Sequence, residues 1–197
     1  FSIFLNNKNS KTRPIYVNNY KWLGKLNYIK FLRDIGKHFT INKMLSFDSV
    51  KLRLEREQSL SYMEFNYMIL QAYDFLELNK TKNCLMQIGG SDQWGNIVNG
   101  VELVKRYSSK QVYGLTTPLI TLASGAKMGK TEKGAVWLDK KLLSSYDYWQ
   151  FWRNTDDRDV VKFLKMFTDK DVSEIESIKD KNINDLKTLL ALSLIHI

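Results

Sequence analysis

The chain has 197 residues, 44% hydrophobic and 13% aromatic, and a formal net charge of +9. That is enough apolar material for one domain or one and a fraction, and it excludes a disordered chain. A single cysteine, Cys84, excludes an intrachain disulfide, and no apolar run reaches membrane-spanning length. No signal-peptide pattern is expected of the first residues. The positive charge favours a polyanionic partner such as RNA, DNA or an acidic membrane about as readily as it favours plain solubility.

Residues 1–20 are polar and asparagine-rich and read as loop with short extended pieces. Over 27–37, Tyr28, Ile29, Phe31, Leu32 and Ile35 form one broad stripe, which predicts a helix ending near Gly36. A second helix is expected from 40 to 45, with 46–56 continuing it or forming a separate charged helix. Ser61 followed by Glu64 has capping-box spacing, so a helix is expected from Tyr62 to about Leu78. The apolar run 84–88 predicts a buried strand, with Cys84 a packed thiol in a reducing compartment. A glycine turn over 89–96 and a helix to about Tyr107 follow. Residues 111–122 read as extended, with Pro118 marking an edge or bend. Residues 123–134 read as a mobile loop and 136–138 as a short extended piece. Helices are expected near 144–154, 157–167 and 171–179, and another from about Asn184. Phe1 opens mid-pattern without Met, and 189–197 is an apolar helical run without a cap, so a fragment of a longer protein is expected. The helix–strand–helix–strand order argues for the second half of a doubly wound α/β unit followed by helices.

Three constellations carry chemistry. In Gly89-Gly90-Ser91-Asp92-Gln93-Trp94-Gly95-Asn96, the paired glycines Gly89 and Gly90, the Asp92 carboxylate and the Gln93 carboxamide sit between a strand and a helix, where open α/β sheets bind ligands. Asp92 could accept two ribose hydroxyls, or it could simply cap the helix. On the 62–78 helix, Tyr67, Gln71 and Asp74 stand at i, i+4 and i+7 and share a face. Apolar neighbours on both flanks suggest a walled-in polar stripe that a ligand amine or hydroxyl would satisfy. A solvated stripe or an internal hydrogen-bond network is the slightly favoured alternative. In Ala126-Lys127-Met128-Gly129-Lys130-Thr131, two lysines on a glycine-rich loop suit a polyphosphate, although the spacing is not that of a Walker loop and such loops are often only solvated.

Taken in order, YMILQAYDF, QIGGSDQWGN and KMGKT followed by Trp137-Leu138-Asp139 resemble the tyrosyl-tRNA synthetases of bacterial and organellar type, a class I family. The likeness extends through Phe31–Phe39 and 150–159 and covers about residues 18–191. It implies a Rossmann-like doubly wound parallel-sheet catalytic domain, of which this chain is the second half. A helical connective insertion and a tyrosine-binding helix would occupy 1–80. The end of the catalytic domain would occupy 81–143, and a helical region leading to an anticodon-binding part would occupy 144–197.

The resemblance implies roles by position. Tyr67 and Gln71 match residues that bind the tyrosine amino group, and Asp74 matches the acceptor of the phenolic hydroxyl. Gln87 matches a residue lining the tyrosine pocket, and Gln93 a contact near the tyrosine carboxylate. Asp92 matches the residue holding the adenylate ribose, with Gly90 allowing close approach. Lys127, Lys130 and Thr131 match the signature loop that grips the ATP pyrophosphate. ATP with Mg2+, L-tyrosine and tRNA(Tyr) are the implied substrates, a homodimer the implied assembly, and the bacterial cytoplasm or an organelle the implied compartment. No general base is needed by such a site, so His38 is expected to be structural and His196 falls in no motif.

Gly129 and Thr131 replace the two serines of the commonest signature. The family's His-Ile-Gly-His signature would lie before residue 1, so the isolated fragment is expected to be inactive. Residues 192–197 are apolar where the family's helix is polar. A tryptophanyl relative shares the Gly-x-Asp-Gln turn, but Asp74 in its Tyr-Asp-Phe context argues against it. A non-catalytic RNA-binding protein on a synthetase scaffold is the alternative of a different class, against which Lys127 and Lys130 speak.

Overall fold

The structure, a computed structural model, describes residues 12–131 and 134–195, with the side chains of Lys130 and Thr131 outside the description. It divides into two units, Pro14–Leu119 and a second that begins at Ile120.

In the first unit, α1 (Tyr20–Leu23), α2 (Tyr28–Asp34), α3 (Ile41–Leu45) and α4 (Asp48–Glu55) precede the long α5 (Tyr62–Lys82). The helix expected over 27–37 stops at Asp34, and Gly36–His38 tightens into a 3-10 turn. Residues 46–56 hold a separate helix rather than a continuation of α3. At the start of α5 the Ser61 hydroxyl accepts from Glu64 N, and Glu64 Oε2 accepts from Ser61 N at 2.9 Å, which is the predicted capping box. Hydrogen bonds from Arg53, then from the Ser61 N–H and hydroxyl, hold the Glu64 carboxyl at about 2. Its folded value lies below the ordinary ~4.3, so the ionic part of this cap is complete above that value and is lost as pH falls toward 2. α5 runs four residues past the expected Leu78, to Lys82, and ends where Asn83 turns left-handed at φ 53°.

Two parallel strands follow, β1 (Met86–Gly90) and β2 (Tyr113–Thr117), joined by α6 (Trp94–Ser108) and paired from Met86↔Tyr113 to Gly90↔Thr117. This β–α–β unit is the expected α/β architecture. Two details differ from the sequence expectation. The strand begins at Met86 rather than Cys84, and it includes Gly89 and Gly90, which pair with Thr116 and Thr117 instead of belonging to the turn. The strand is also covered on one face only. Gln87, Gly89 and Gly114 lie toward α6, whereas Met86, Ile88, Tyr113 and Leu115 on the other face are exposed, Ile88 by 64%. The apolar run concealed this alternation because both faces carry apolar residues.

Close packing rests on two glycines without side chains. A Cβ on Gly100 of α6 would meet Phe75 Cδ1 of α5 at 2.9 Å, and one on Gly114 of β2 would meet Ile97 Cγ2 of α6 at 2.5 Å. Ile97 and Phe75 are core residues with no room to yield. Gly114→Ala is therefore expected to destabilise the chain by about 1–3 kcal/mol. The check is urea unfolding, where the midpoint should fall with an unchanged slope. An unchanged midpoint would contradict this packing.

The second unit holds the short antiparallel pair β3 (Lys130–Thr131) and β4 (Gly134–Ala135), then α7 (Ser145–Arg153), α8 (Asp157–Phe167), α9 (Val172–Ile178) and α10 (Ile183–Ile195). The extended piece expected at 136–138 is displaced to β4. Ser144 caps α7 by accepting from Asp147 N at 3.1 Å, and Asp156 caps α8 by accepting from Arg158 N at 3.0 Å. Trp152, Phe163, Leu164, Ile175 and Leu190 bring the four helices onto one core. No described helix is long and apolar enough to cross a membrane.

Candidate functional site

Asp74 lies on the face of α5 opposite the buried Met68, Ile69, Ala72, Phe75 and Leu76. Its carboxylate is held by two donors from the segment around α1. Trp22 Nε1 donates to Oδ1 at 2.6 Å, and Asn19 Nδ2 donates to Oδ2 at 3.1 Å. These three residues, with Val17, Asn18 and Leu78, line an open hollow of about 390 Å³. An ionised carboxylate has about four acceptor positions, so two donors leave capacity for a ligand hydroxyl. Gln71 is half-buried and Tyr67 is 58% exposed, so the stripe is not walled in as its apolar flanks suggested. Those flanking residues turn into the α5–α6 core, and the stripe borders solvent. The sequence expectation placed residues 1–20 in loop and assigned no element to 21–26, and so missed Asn19 and Trp22. A tryptophan within a polar segment was the available signal, since an indole N–H usually seeks an acceptor.

The carboxyl ends of β1 and β2 point the same way, and the chain leaves β1 through a 3-10 turn, Ser91–Gln93, into α6. A Cβ on Gly90 would sit 2.7 Å from Asp92 Oδ1 and 2.9 Å from Leu119 Cδ2. Glycine here lets the Asp92 carboxylate fold back over the strand end. The Gln93 carboxamide oxygen accepts from Asn96 Nδ2 at 3.2 Å, which fixes its orientation. Gln87 reaches from β1 toward α6, where its buried Oε1 has no hydrogen-bond partner among the described residues. A buried acceptor left open is unusual in a packed layer. Thus Gly90, Asp92 and Gln93 stand together at the carboxyl end of β1, whereas Gln87 lies further back along the strand, against Gly100 in the middle of α6. Gln71 and Asp74 stand on the helix whose Phe75 packs against Gly100 of α6.

In the second unit the lysine segment has a hydrogen-bonded stem. Thr121 and Lys127 form an antiparallel bridge, Leu122 N donates to Ala126 O at 2.8 Å, and Met128 N donates to Ile120 O at 2.9 Å. Gly125 at φ +83° turns the tip, and Gly129 at φ +88° redirects the chain into β3. Met128 packs on the helical core, while Lys127 is exposed beside it. The side chains of Lys130 and Thr131 lie outside the described residues, and only their backbone pairing with β4 is described. A segment read as loop therefore begins as a hairpin.

His38 is not part of these groups. Its carbonyl accepts from Arg106 Nη1 at 2.6 Å, and burial, then Lys37 and Arg106, push its ring pKa down. His196 lies outside the described residues. Among the described residues no three His, Cys, Asp or Glu side chains gather into a metal-binding cluster.

Comparison with known proteins bears on this geometry. The family model described as tRNA synthetases class I (W and Y) matches residues 1–193. The tyrosine–tRNA ligase of Pelagibacter ubique is 81% identical over 188 residues, which is 95% of this chain and 46% of that protein. The chain thus spans about half the length of the curated relatives it matches. Among solved structures, a C-terminally truncated mitochondrial tyrosyl-tRNA synthetase from Coccidioides posadasii superposes with a TM-score of 0.77 at 32% identity, covering 96% of this chain and 56% of that one. A tryptophanyl-tRNA synthetase from Campylobacter jejuni superposes with a TM-score of 0.52 at 15% identity over 83% of this chain and 57% of that one, a likeness of fold alone. The match over nearly every residue, carrying the β–α–β unit and the lysine hairpin with it, establishes that this chain belongs to the class I tRNA synthetases of the W and Y family.

Proposed function

We propose that this chain is the part of a tyrosine–tRNA ligase that recognises the tyrosine side chain, the adenylate ribose and the ATP phosphates. The observation that carries the reading is Asp74, a carboxylate oriented by Trp22 and Asn19 at the edge of an open hollow, on the same helix face as Gln71 and Tyr67. The 81% identity to a protein named as a tyrosine ligase supports the same choice of amino acid.

In this reading the phenolic hydroxyl donates to Asp74, and Tyr67 and Gln71 hold the amino group. Gln87 lines the pocket, and Gln93 lies near the tyrosine carboxylate. Asp92 accepts the ribose hydroxyls above Gly90. The tyrosine carboxylate oxygen forms a bond to the α-phosphorus of ATP as the bond to pyrophosphate breaks. The products are tyrosyl-adenylate and pyrophosphate. Lys127, Lys130 and Thr131 hold the departing phosphates as charge builds on them. A terminal ribose hydroxyl of tRNA then takes the tyrosyl group and AMP leaves. The attacking group is already an anion, so positioning and charge neutralisation do the work and no general base is needed. Mg2+ is proposed as a companion of the ATP phosphates.

Relatives of roughly twice this length support the further proposal that activity requires more chain than these residues. Homodimerisation is proposed through residues 18–80, where Tyr28 and Leu32 border an apolar cavity of about 460 Å³ and Ile29 is also exposed. The bacterial relatives favour a cytoplasmic location.

The test is charging. A full-length protein carrying this segment, given ATP and bulk bacterial tRNA, should attach labelled tyrosine to acid-precipitable RNA and should not attach tryptophan. Attachment of tryptophan would select the tryptophanyl alternative. RNA binding with neither amino acid attached would select the non-catalytic one.

A further inference from the structure

The buried Asp159 of α8 is used by none of the roles above. It is 2% exposed, and burying a carboxylate is costly unless charges and donors compensate it. Two groups do so, and both lead to the lysine hairpin. Asp159 Oδ2 accepts from Ala123 N at 2.6 Å, and Oδ1 is 3.3 Å from Lys162 Nζ one turn later on α8. Lys162 also donates to the Thr121 carbonyl. One carboxylate and one ammonium thus hold a backbone N–H and a backbone C=O two residues apart on the first arm of the hairpin. Thr121 is the residue bridged to Lys127, and Leu122, between the two anchored residues, donates to Ala126. The anchorage passes from α8 to the first arm, and across the ladder to Lys127.

α8 does not require this arrangement for its own sake. Its N-terminus is capped by Asp156, and its apolar face is filled by Val160, Phe163 and Leu164. Only the carboxylate of this pair is buried, the Lys162 side chain being 39% exposed, and a buried carboxylate is rarely the most stable filling for such a place. What the pair supplies is direction, because charge-assisted bonds to the backbone fix the arm in one position.

We propose that Asp159 and Lys162 are positioning residues that set the hairpin so that Lys127 stands at one place relative to the helical core. This rests on the reading of Lys127 as a phosphate-holding group. Displacement of such a group by about 1 Å can cost up to 10²-fold in rate, so loss of the tether should act on turnover rather than on amino-acid binding.

The experiment uses the full-length protein with Lys162→Met, Asp159→Asn, Lys127→Ala and the double variant Lys162→Met/Lys127→Ala. Lys162→Met keeps the half-buried stem and removes only the charge, so the fold should survive. Amide exchange followed by mass spectrometry should quicken at 122–128 in Lys162→Met and Asp159→Asn, with the α8 and α10 core amides unchanged. Tyrosine-dependent pyrophosphate exchange should slow ~10-fold in Lys162→Met, with the tyrosine KM unchanged. The double variant should be no slower than Lys127→Ala alone, because the tether acts through that lysine. Lys162→Arg should recover part of the rate. Unchanged exchange at 122–128, or losses that multiply in the double variant, would overturn the proposal. If Lys127→Ala alone leaves the rate unchanged, the phosphate role of Lys127 fails, and with it the proposed effect on turnover. The anchorage itself is then decided by the amide exchange.

Discussion

Lys127→Ala and Lys130→Ala, each made in a full-length protein carrying this segment, are expected to slow tyrosyl-adenylate formation by ~10²-fold or more and to leave tyrosine affinity nearly unchanged. The argument is electrostatic. When the α-phosphorus changes partners, negative charge accumulates on the departing pyrophosphate. An ammonium aimed at that charge stabilises the transition state more than the ground state. Lys127 extends from the second arm of a hairpin whose stem is bonded to its first arm, and Gly129 turns the chain immediately beyond it. The backbone therefore confines the root of the side chain, and the residue is exposed. A rapid-quench measurement of adenylate formation separates this from binding. Loss confined to the tyrosine dissociation constant, with the adenylation rate intact, would remove both lysines from the proposed role.

Asp74→Ala is expected to weaken tyrosine binding by about 2 kcal/mol or more, the scale of a hydrogen bond to a charged group. The structure adds a second reason for a large effect. Trp22 Nε1 and Asn19 Nδ2 both donate to this carboxylate, so alanine would also leave the part-buried indole N–H without its acceptor. Asp74→Asn separates the contributions. It keeps an acceptor for Trp22 Nε1, which can only donate, and the exposed Asn19 carboxamide can turn its oxygen toward the new N–H₂. Its loss of affinity should therefore read mainly the lost charge. Titration calorimetry with tyrosine and phenylalanine reads both effects. The unmodified protein should prefer tyrosine strongly, since phenylalanine leaves the acceptor unpaired, and Asp74→Ala should shrink that preference. Equal affinities in the unmodified protein would exclude Asp74 as the phenol acceptor.

Local chemistry was readable wherever a few neighbouring residues determine the outcome. Ser61 with Glu64 specified the start of α5, Ser144 and Asp156 stand at the starts of α7 and α8, and the glycine turn located the end of β1. What depended on distant partners was not readable. Gly89 and Gly90 read as turn because glycine weakens strands, yet their pairing with Thr116 and Thr117 keeps them in the ladder. The polar stripe on α5 read as enclosed because its neighbours are apolar, and only the position of α6 determines which side those neighbours bury. Trp22 and Asp74 are 52 residues apart and Ala123 and Asp159 are 36 apart, so no local pattern announces either bond. Residues 123–134 read as a mobile loop because they are rich in glycine and lysine, whereas Ala126 and Lys127 pair with a first arm that side chains from α8 hold.

The most direct measurement of the whole account is amino-acid-dependent exchange of labelled pyrophosphate into ATP, run with a full-length protein carrying this segment against tyrosine, phenylalanine and tryptophan. The account predicts rapid exchange with tyrosine and little with the other two. Exchange that tryptophan supports as well as tyrosine, or no exchange with tyrosine, would contradict it.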